Sequence, residues 1–261
     1  MKKTLLPCLP QGVPCEIARW IGQAQVYDSS CSPEARVYFV NKDEGYYLKT
    51  SAKGSLKREA EMTAYFHTKR LGTEVLAYVS EESDWLLTAR VRGEDCTHAR
   101  YLSDPKRLCD TLAIELRGLH ELDFTGCPVM NRMQDYFALA ENNYRAGHCE
   151  LSLFSGGFAY RSAEEAHAVI EDGKGAFRCD VLLHGDYCLP NIMLDDWRLS
   201  AFIDLGNGGV GDRHVDLFWG VWTLWFNLGT DRYHDRFLDA YGRDKADESM
   251  LRVVAAAEVF G

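Results

Sequence analysis

The segment His184-Gly185-Asp186-Tyr187-Cys188-Leu189-Pro190-Asn191, followed thirteen residues after Asn191 by Ile203-Asp204-Leu205-Gly206, holds the densest set of reactive side chains in the chain. Phosphoryl transfer to an alcohol asks for such a set. One carboxylate orients the hydroxyl and accepts its proton, while an amide and a second carboxylate hold Mg²⁺ against nucleotide phosphates. Asp186 fits the first role and Asn191 and Asp204 the second, with Gly206 offering a sharp exit for the backbone. His184 reads as structural, bonding backbone beside the loop. His184 and Cys188 also admit a reading as zinc ligands, but zinc needs at least two more ligands and none is suitably spaced.

These residues need elements to carry them. Residues 36–40 and 45–49 flank the polar turn 41–44 and predict a β-hairpin. A helix over 57–70 follows, then strands over 75–79 and 85–89, so the chain up to about residue 90 predicts a small antiparallel sheet carrying one helix. Beyond it, Leu108, Leu112, Leu116 and Leu119 recur at helical spacing, and 136–144 and 162–171 also read as helices. The stretch 146–161, rich in Gly, Ser and Phe, reads as a loop. Short strands are expected over 181–184, 191–194 and 199–204, then helices over 215–228 and 246–259. Asp212 and Asp216 are expected to stabilise the loop and helix start rather than bind metal. The aromatic run 218–226 is expected to form buried helix surface rather than a sugar-stacking platform.

The segments HGDYCLPNI and FIDLGNGGVGDRHVDL resemble the catalytic and metal loops of the aminoglycoside phosphotransferases, especially the branch acting on the 3′-hydroxyl. The resemblance implies an α+β, protein-kinase-like two-lobed fold: an N-terminal antiparallel β-sheet lobe that binds nucleotide, residues 1–90, and a mainly helical C-terminal lobe for catalysis and substrate, residues 91–261. It implies transfer of the γ-phosphoryl group of ATP or GTP, with Mg²⁺, to an aminoglycoside hydroxyl, an activity that confers antibiotic resistance. Lys49 resembles the family's phosphate-binding lysine and Glu59 its ion-pair partner. Ser32 falls in the nucleotide-covering loop, and Ala89, Arg90 and Val91 fall where backbone groups carry the base. Glu258 and Phe260 resemble the acidic-aromatic end that contacts drug in some members. Three departures stand out: Asn207 where relatives usually have arginine, Glu150 as the single carboxylate of the 147–158 loop, and Gly261 following Phe260.

Composition agrees with a folded, acidic chain. With 29 basic and 39 acidic residues among 261, the net charge is −10, which argues against sequence-independent nucleic-acid binding and suits a cationic small molecule. Nine cysteines, an odd number without a Cys-x-x-Cys pair, point to a reducing compartment. The two-leucine stretch near the start is too short for a signal-peptide core, and no apolar run reaches membrane-spanning length, so no membrane association and a cytoplasmic address are expected. A monomer or weak dimer is the expected state. Two rival readings stay open at this point: a kinase of the same fold acting on a metabolite alcohol such as choline, homoserine or a sugar, and a nucleotide-binding pseudokinase.

Overall fold

The structure, a computed structural model, describes residues 3–30, 35–154 and 158–261, so Ser32 lies outside the described residues. Two compact units are formed, Met1–Glu94 with Met193–Asn207 and Asp95–Ile192 with Gly208–Gly261. The segment 193–207 thus groups with the first unit although it lies late in the chain.

The first unit contains β1 (Thr4–Leu5), α1 (Cys15–Ile21), β2 (Gln25–Asp28), β3 (Arg36–Asn41), β4 (Tyr46–Ala52), α2 (Lys57–Thr68), β5 (Val75–Ser80) and β6 (Ser83–Ala89). The strands form one antiparallel sheet in the order β1-β2-β3-β4-β6-β5. Side chains alternate between the faces of a strand, and directly paired residues share a face. Leu48 pairs with Leu87, and both join Ile17 and Ile21 of α1 in one core; Lys49 pairs with Leu86, which packs with Leu56 and Ala60 at the start of α2. The register therefore sends Lys49 toward the helix that carries Glu59. The sequence reading had no place for β1, α1 or β2, because three prolines and short apolar pairs make residues 7–28 read as irregular. Helix α2 also stops two residues short of the expected end, where Arg70 turns into the left-handed region at φ 62°.

Two residues at the chain crossing, Glu94–Asp95, form β7, and the second unit continues with α3 (Ala99–Leu102), α4 (Pro105–His120), α5 (Arg132–Arg145), α6 (Ala163–Gly173) and β8 (Val181–Leu183). Strands β9 (Ile192–Asp195) and β10 (Arg198–Phe202) lead into the first unit, and β11 (Gly209–Gly211), α7 (His214–Leu228), α8 (His234–Tyr241) and α9 (Glu248–Glu258) complete the second. Asp104 caps α4 by accepting the Arg107 N–H, with Pro105 in the first turn, where its missing donor costs nothing. The four leucines of the α4 stripe are buried, as the spacing requires. Gly220 lets α7 and α8 approach, since a β-carbon there would lie 2.4 Å from the Phe237 ring.

The aromatic run departs from expectation. Phe218, Val221 and Leu224 are buried, but Phe226 is 63% exposed, and Trp222 and Trp225 line a cavity of about 620 Å³ with Phe154, Phe158 and His234. A helix turning once per 3.6 residues cannot bury every side chain of a nine-residue run against one neighbour. Among the described residues no helix is long and apolar enough to cross a membrane.

Candidate active site

In the first unit, Lys49 Nζ lies 2.7 Å from Glu59 Oε2 and 2.8 Å from Asp204 Oδ1, bringing together residues from β4, α2 and the turn after β10. Burial works against the Lys49 ammonium, but the charges of Glu59 and Asp204 outweigh it and hold its pKa above the ordinary value. Burial pushes the Glu59 carboxyl up, with the Asp204 charge adding and Lys49 opposing. Asp204 is half exposed, and its second oxygen makes no hydrogen bond among the described residues. The sharp turn expected from Gly206 is made at Asp204 itself, at φ 58°. Aspartate tolerates that region better than most residues because its short polar side chain can bond locally.

Helix α2 has no side-chain cap of its own, since Leu56 stands at its cap position. Asp84 of β6 replaces it, accepting the N–H groups of Gly54 and Leu56, both at 2.9 Å, and the hydroxyls of Tyr78 and Ser80. The seating of Glu59 thus depends on a carboxylate from a strand.

The expected base-reading residues differ among themselves. Ala89 N–H donates to Glu74 O, its C=O accepts from the Thr73 hydroxyl, and Arg90 N–H donates to Gly45 O. The Arg90 carbonyl and both Val91 backbone groups remain without a partner among the described residues.

In the second unit, β8 delivers the chain to a turn at Gly185, φ 85°, and Asp186 follows. Asn191 Nδ2 donates to Asp186 Oδ2 at 2.8 Å and to the Asp186 carbonyl at 3.0 Å, so the expected pair is brought together. The Asn191 amide nitrogen is thereby spent on Asp186, and its carbonyl oxygen is left without a hydrogen bond among the described residues. The Asn191 amide oxygen in the second unit and the second Asp204 carboxylate oxygen in the first are each a hard donor of the kind Mg²⁺ takes, so each residue by its chemistry fits the ion. His184 Nδ1 accepts the N–H of Asp186 at 3.3 Å, the structural role expected of it. Neither cluster of potential metal ligands among the described residues includes His184 or Cys188.

Asp216 is not a cap for α7. Wholly buried, it accepts the N–H of His184 at 2.8 Å and of Gly185 at 2.7 Å, gripping the turn that presents Asp186. Asp212 does serve the helix start, accepting the His214 N–H at 3.0 Å. Behind Asp216 stand His120 and Tyr241, which sequence reasoning missed; a histidine ending an apolar helix carries no signal of what it meets in space.

The expected substrate contacts fare unevenly. Glu150 turns its carboxylate onto the N–H and hydroxyl of Ser152, two residues on. The Phe260 ring is buried against Tyr144, and its carbonyl accepts from Asn143. Glu258 accepts from the Tyr136 hydroxyl at 2.8 Å and Trp219 Nε1 at 3.2 Å, and burial, with the nearby Asp186 charge, pushes its pKa up to about 7 against those hydrogen bonds.

Residues 33–252 match the model of the phosphotransferase enzyme family, and the chain belongs to that family. It is 52% identical over 239 residues to a protein of Lactococcus lactis named "probable aminoglycoside 3′-phosphotransferase", covering 91% of each chain. It is 30% identical to the aminoglycoside 3′-phosphotransferase of Niallia circulans, over 79% of each. Among solved structures, an aminoglycoside phosphotransferase from Streptomyces rimosus superposes with a TM-score of 0.74 at 22% identity, covering 88% of this chain and 91% of that one. A type VIII aminoglycoside-3′-phosphotransferase gives 0.72 at 24% identity, with coverages of 89% and 91%. Those likenesses establish the kinase-like α+β fold.

Proposed function

We propose that this enzyme is an aminoglycoside O-phosphotransferase that moves the γ-phosphoryl group of ATP or GTP to the 3′-hydroxyl of its acceptor. The observation that carries the reading is the Asp186–Asn191 pair, in which the amide fixes the carboxylate and keeps its own oxygen for a metal. The acceptor oxygen forms a bond to the γ-phosphorus as the bond from that phosphorus to the β,γ-bridging oxygen breaks. Asp186 orients the hydroxyl and takes its proton late, then yields it to solvent, and the nucleoside diphosphate leaves. A loose transition state asks little of a base and much of positioning. Lys49, steadied by Glu59, neutralises the non-transferred phosphates. Mg²⁺, when bound, would supply charge neutralisation at the phosphate oxygens, and Asn191 and Asp204 are the residues that would hold it. The base is read through the Arg90 carbonyl and the Val91 backbone, because the Ala89 groups are already bonded. Glu258 supplies negative charge to the acceptor's ammonium groups.

The test is purified protein with Mg²⁺, each nucleotide in turn, and a panel of kanamycin, neomycin, choline and homoserine, followed by location of the phosphate on the product. Diphosphate release with the aminoglycosides and a 3′-phosphate product is expected. Release with choline or homoserine alone, or nucleotide binding without transfer to any acceptor, overturns the reading.

A further inference from the structure

We propose that His120 is a positioning residue for phosphoryl transfer, holding the Asp186 turn in register through Asp216. The proposal rests on the role assigned to Asp186 above. His120 ends α4 and is buried; its Nε2 lies 3.1 Å from Asp216 Oδ2 and its Nδ1 2.8 Å from the Tyr241 hydroxyl at the end of α8. Among the described residues, Asp216 accepts from three donors. Two are the backbone N–H groups of His184 and Gly185, which belong to the turn being held, and the third is His120. His120 is therefore the donor that ties the carboxylate to something outside the turn.

The direction of the chain follows from the acceptor. An ionised carboxylate only accepts, so Nε2 carries the proton and Nδ1 takes the hydrogen of the Tyr241 hydroxyl. Burial pushes the Tyr241 phenol up to about 12, which keeps it a donor at every working pH. Tyr241 is held in turn: Arg117 Nη1 donates to its carbonyl at 2.6 Å and Arg213 Nη1 reaches its hydroxyl at 3.5 Å. The α7 carboxylate is thus backed by His120 of α4, and His120 by Tyr241 of α8.

What they hold is a pliable point. Gly185 lies in the left-handed region and has no side chain to pack, and the peptides on either side of His184 each give their N–H to Asp216. Asp186 is the next residue. Remove the His120 donor and the carboxylate can turn about its own bond, carrying the peptides with it. A shift near 1 Å at the reacting group costs roughly 100-fold in rate.

Two variants separate this role from simple packing. His120→Met keeps volume without a donor, and His120→Gln places an amide N–H near the Nε2 position. With aminoglycoside and saturating Mg²⁺-nucleotide, His120→Met should lose roughly 10- to 100-fold in kcat, with nucleotide KM within about threefold of wild type. His120→Gln should recover most of that loss while melting no higher than His120→Met. A His120→Met kcat within about twofold of wild type overturns the proposal, as does equal impairment of the two folded variants. Should His120→Met not fold, Tyr241→Phe removes one oxygen from the chain and should lower kcat roughly 3- to 10-fold; wild-type kcat there overturns the proposal. A wild-type enzyme that transfers phosphate to no acceptor removes the Asp186 assignment and this inference together, whereas an active wild type with an active His120→Met removes the inference alone.

Discussion

Asp84 accepts the backbone N–H of Leu56 at 2.9 Å, so the first turn of α2 is held from a strand twenty-eight residues further along the chain. Three more donors, from Gly54, Tyr78 and Ser80, end on the same carboxylate. Asp84→Ala leaves buried donors unsatisfied and should cost roughly 2–4 kcal/mol in urea unfolding. The nucleotide KM should rise as well, because Glu59 rides on α2; a variant with wild-type stability contradicts the capping role.

Acidification should report the same residue. Burial opposes the Asp84 charge, but the bonds from Ser80, Gly54, Leu56 and Tyr78 outweigh it and hold the pKa below the ordinary carboxylate value. A depressed folded-state pKa contributes stability above the unfolded value, about 3.9, and loses it as pH falls through the folded one. Between pH 5 and lower values the wild type should lose stability faster than Asp84→Asn. Parallel unfolding curves for the two proteins contradict this.

Asp186→Asn should lower kcat by about 10²–10⁴ while nucleotide affinity stays near wild type. Asn191→Ala should do more, since it frees the Asp186 carboxylate and removes a metal donor; activity should then demand higher Mg²⁺. The measurements are initial rates across a Mg²⁺ series, and an unchanged Mg²⁺ requirement in Asn191→Ala counts against its double role.

Lys49→Met should weaken nucleotide binding and leave Glu59 buried beside the Asp204 charge without its cation. The Glu59 pKa, already raised by burial, then rises further. For an acid this means stability highest at low pH and declining as pH rises through the folded-state value. Thermal melts of Lys49→Met should fall between pH 5 and 8 relative to wild type, and a flat difference would falsify the pairing.

Glu258, with its pKa at about 7, should gate the capture of a cationic acceptor. Its carboxylate gains charge from pH 6 to 8, so acceptor KM should drop over that window at saturating nucleotide. Glu258→Gln should remove most of the change. Identical KM profiles in the two proteins would place the acceptor away from Glu258.

Much of the site was legible because its chemistry is local. Asp186 and Asn191 sit on one short turn, and five residues of spacing suffice to place amide against carboxylate. Lys49 and Glu59 were placed by resemblance, and the strand register and the start of α2 bring their charges together. What stayed hidden needs folding to be seen. Asp216 and His120 are 96 residues apart, and a helix-start aspartate looks like a cap until the backbone donors that reach it are known. Asp84 lay between two expected strands, just ahead of the second. Glu150 and Phe260 were placed by resemblance, and their surroundings differ: one caps its own loop and the other is sealed in the core. The amino-terminal elements escaped because α1 offers only two buried residues, Ile17 and Ile21, to a pattern search.

The grouping of Met193–Asn207 with Met1–Glu94 bears on biosynthesis. Lys49 and Glu59 leave the ribosome early, but Asp204 follows a hairpin made more than a hundred residues later. At roughly 5–20 residues per second, the nascent first unit waits on the order of ten seconds for its last piece. During that interval Lys49 can neutralise Glu59 but has no Asp204 to meet, so the electrostatic balance of the finished site is reached only once synthesis has passed residue 207.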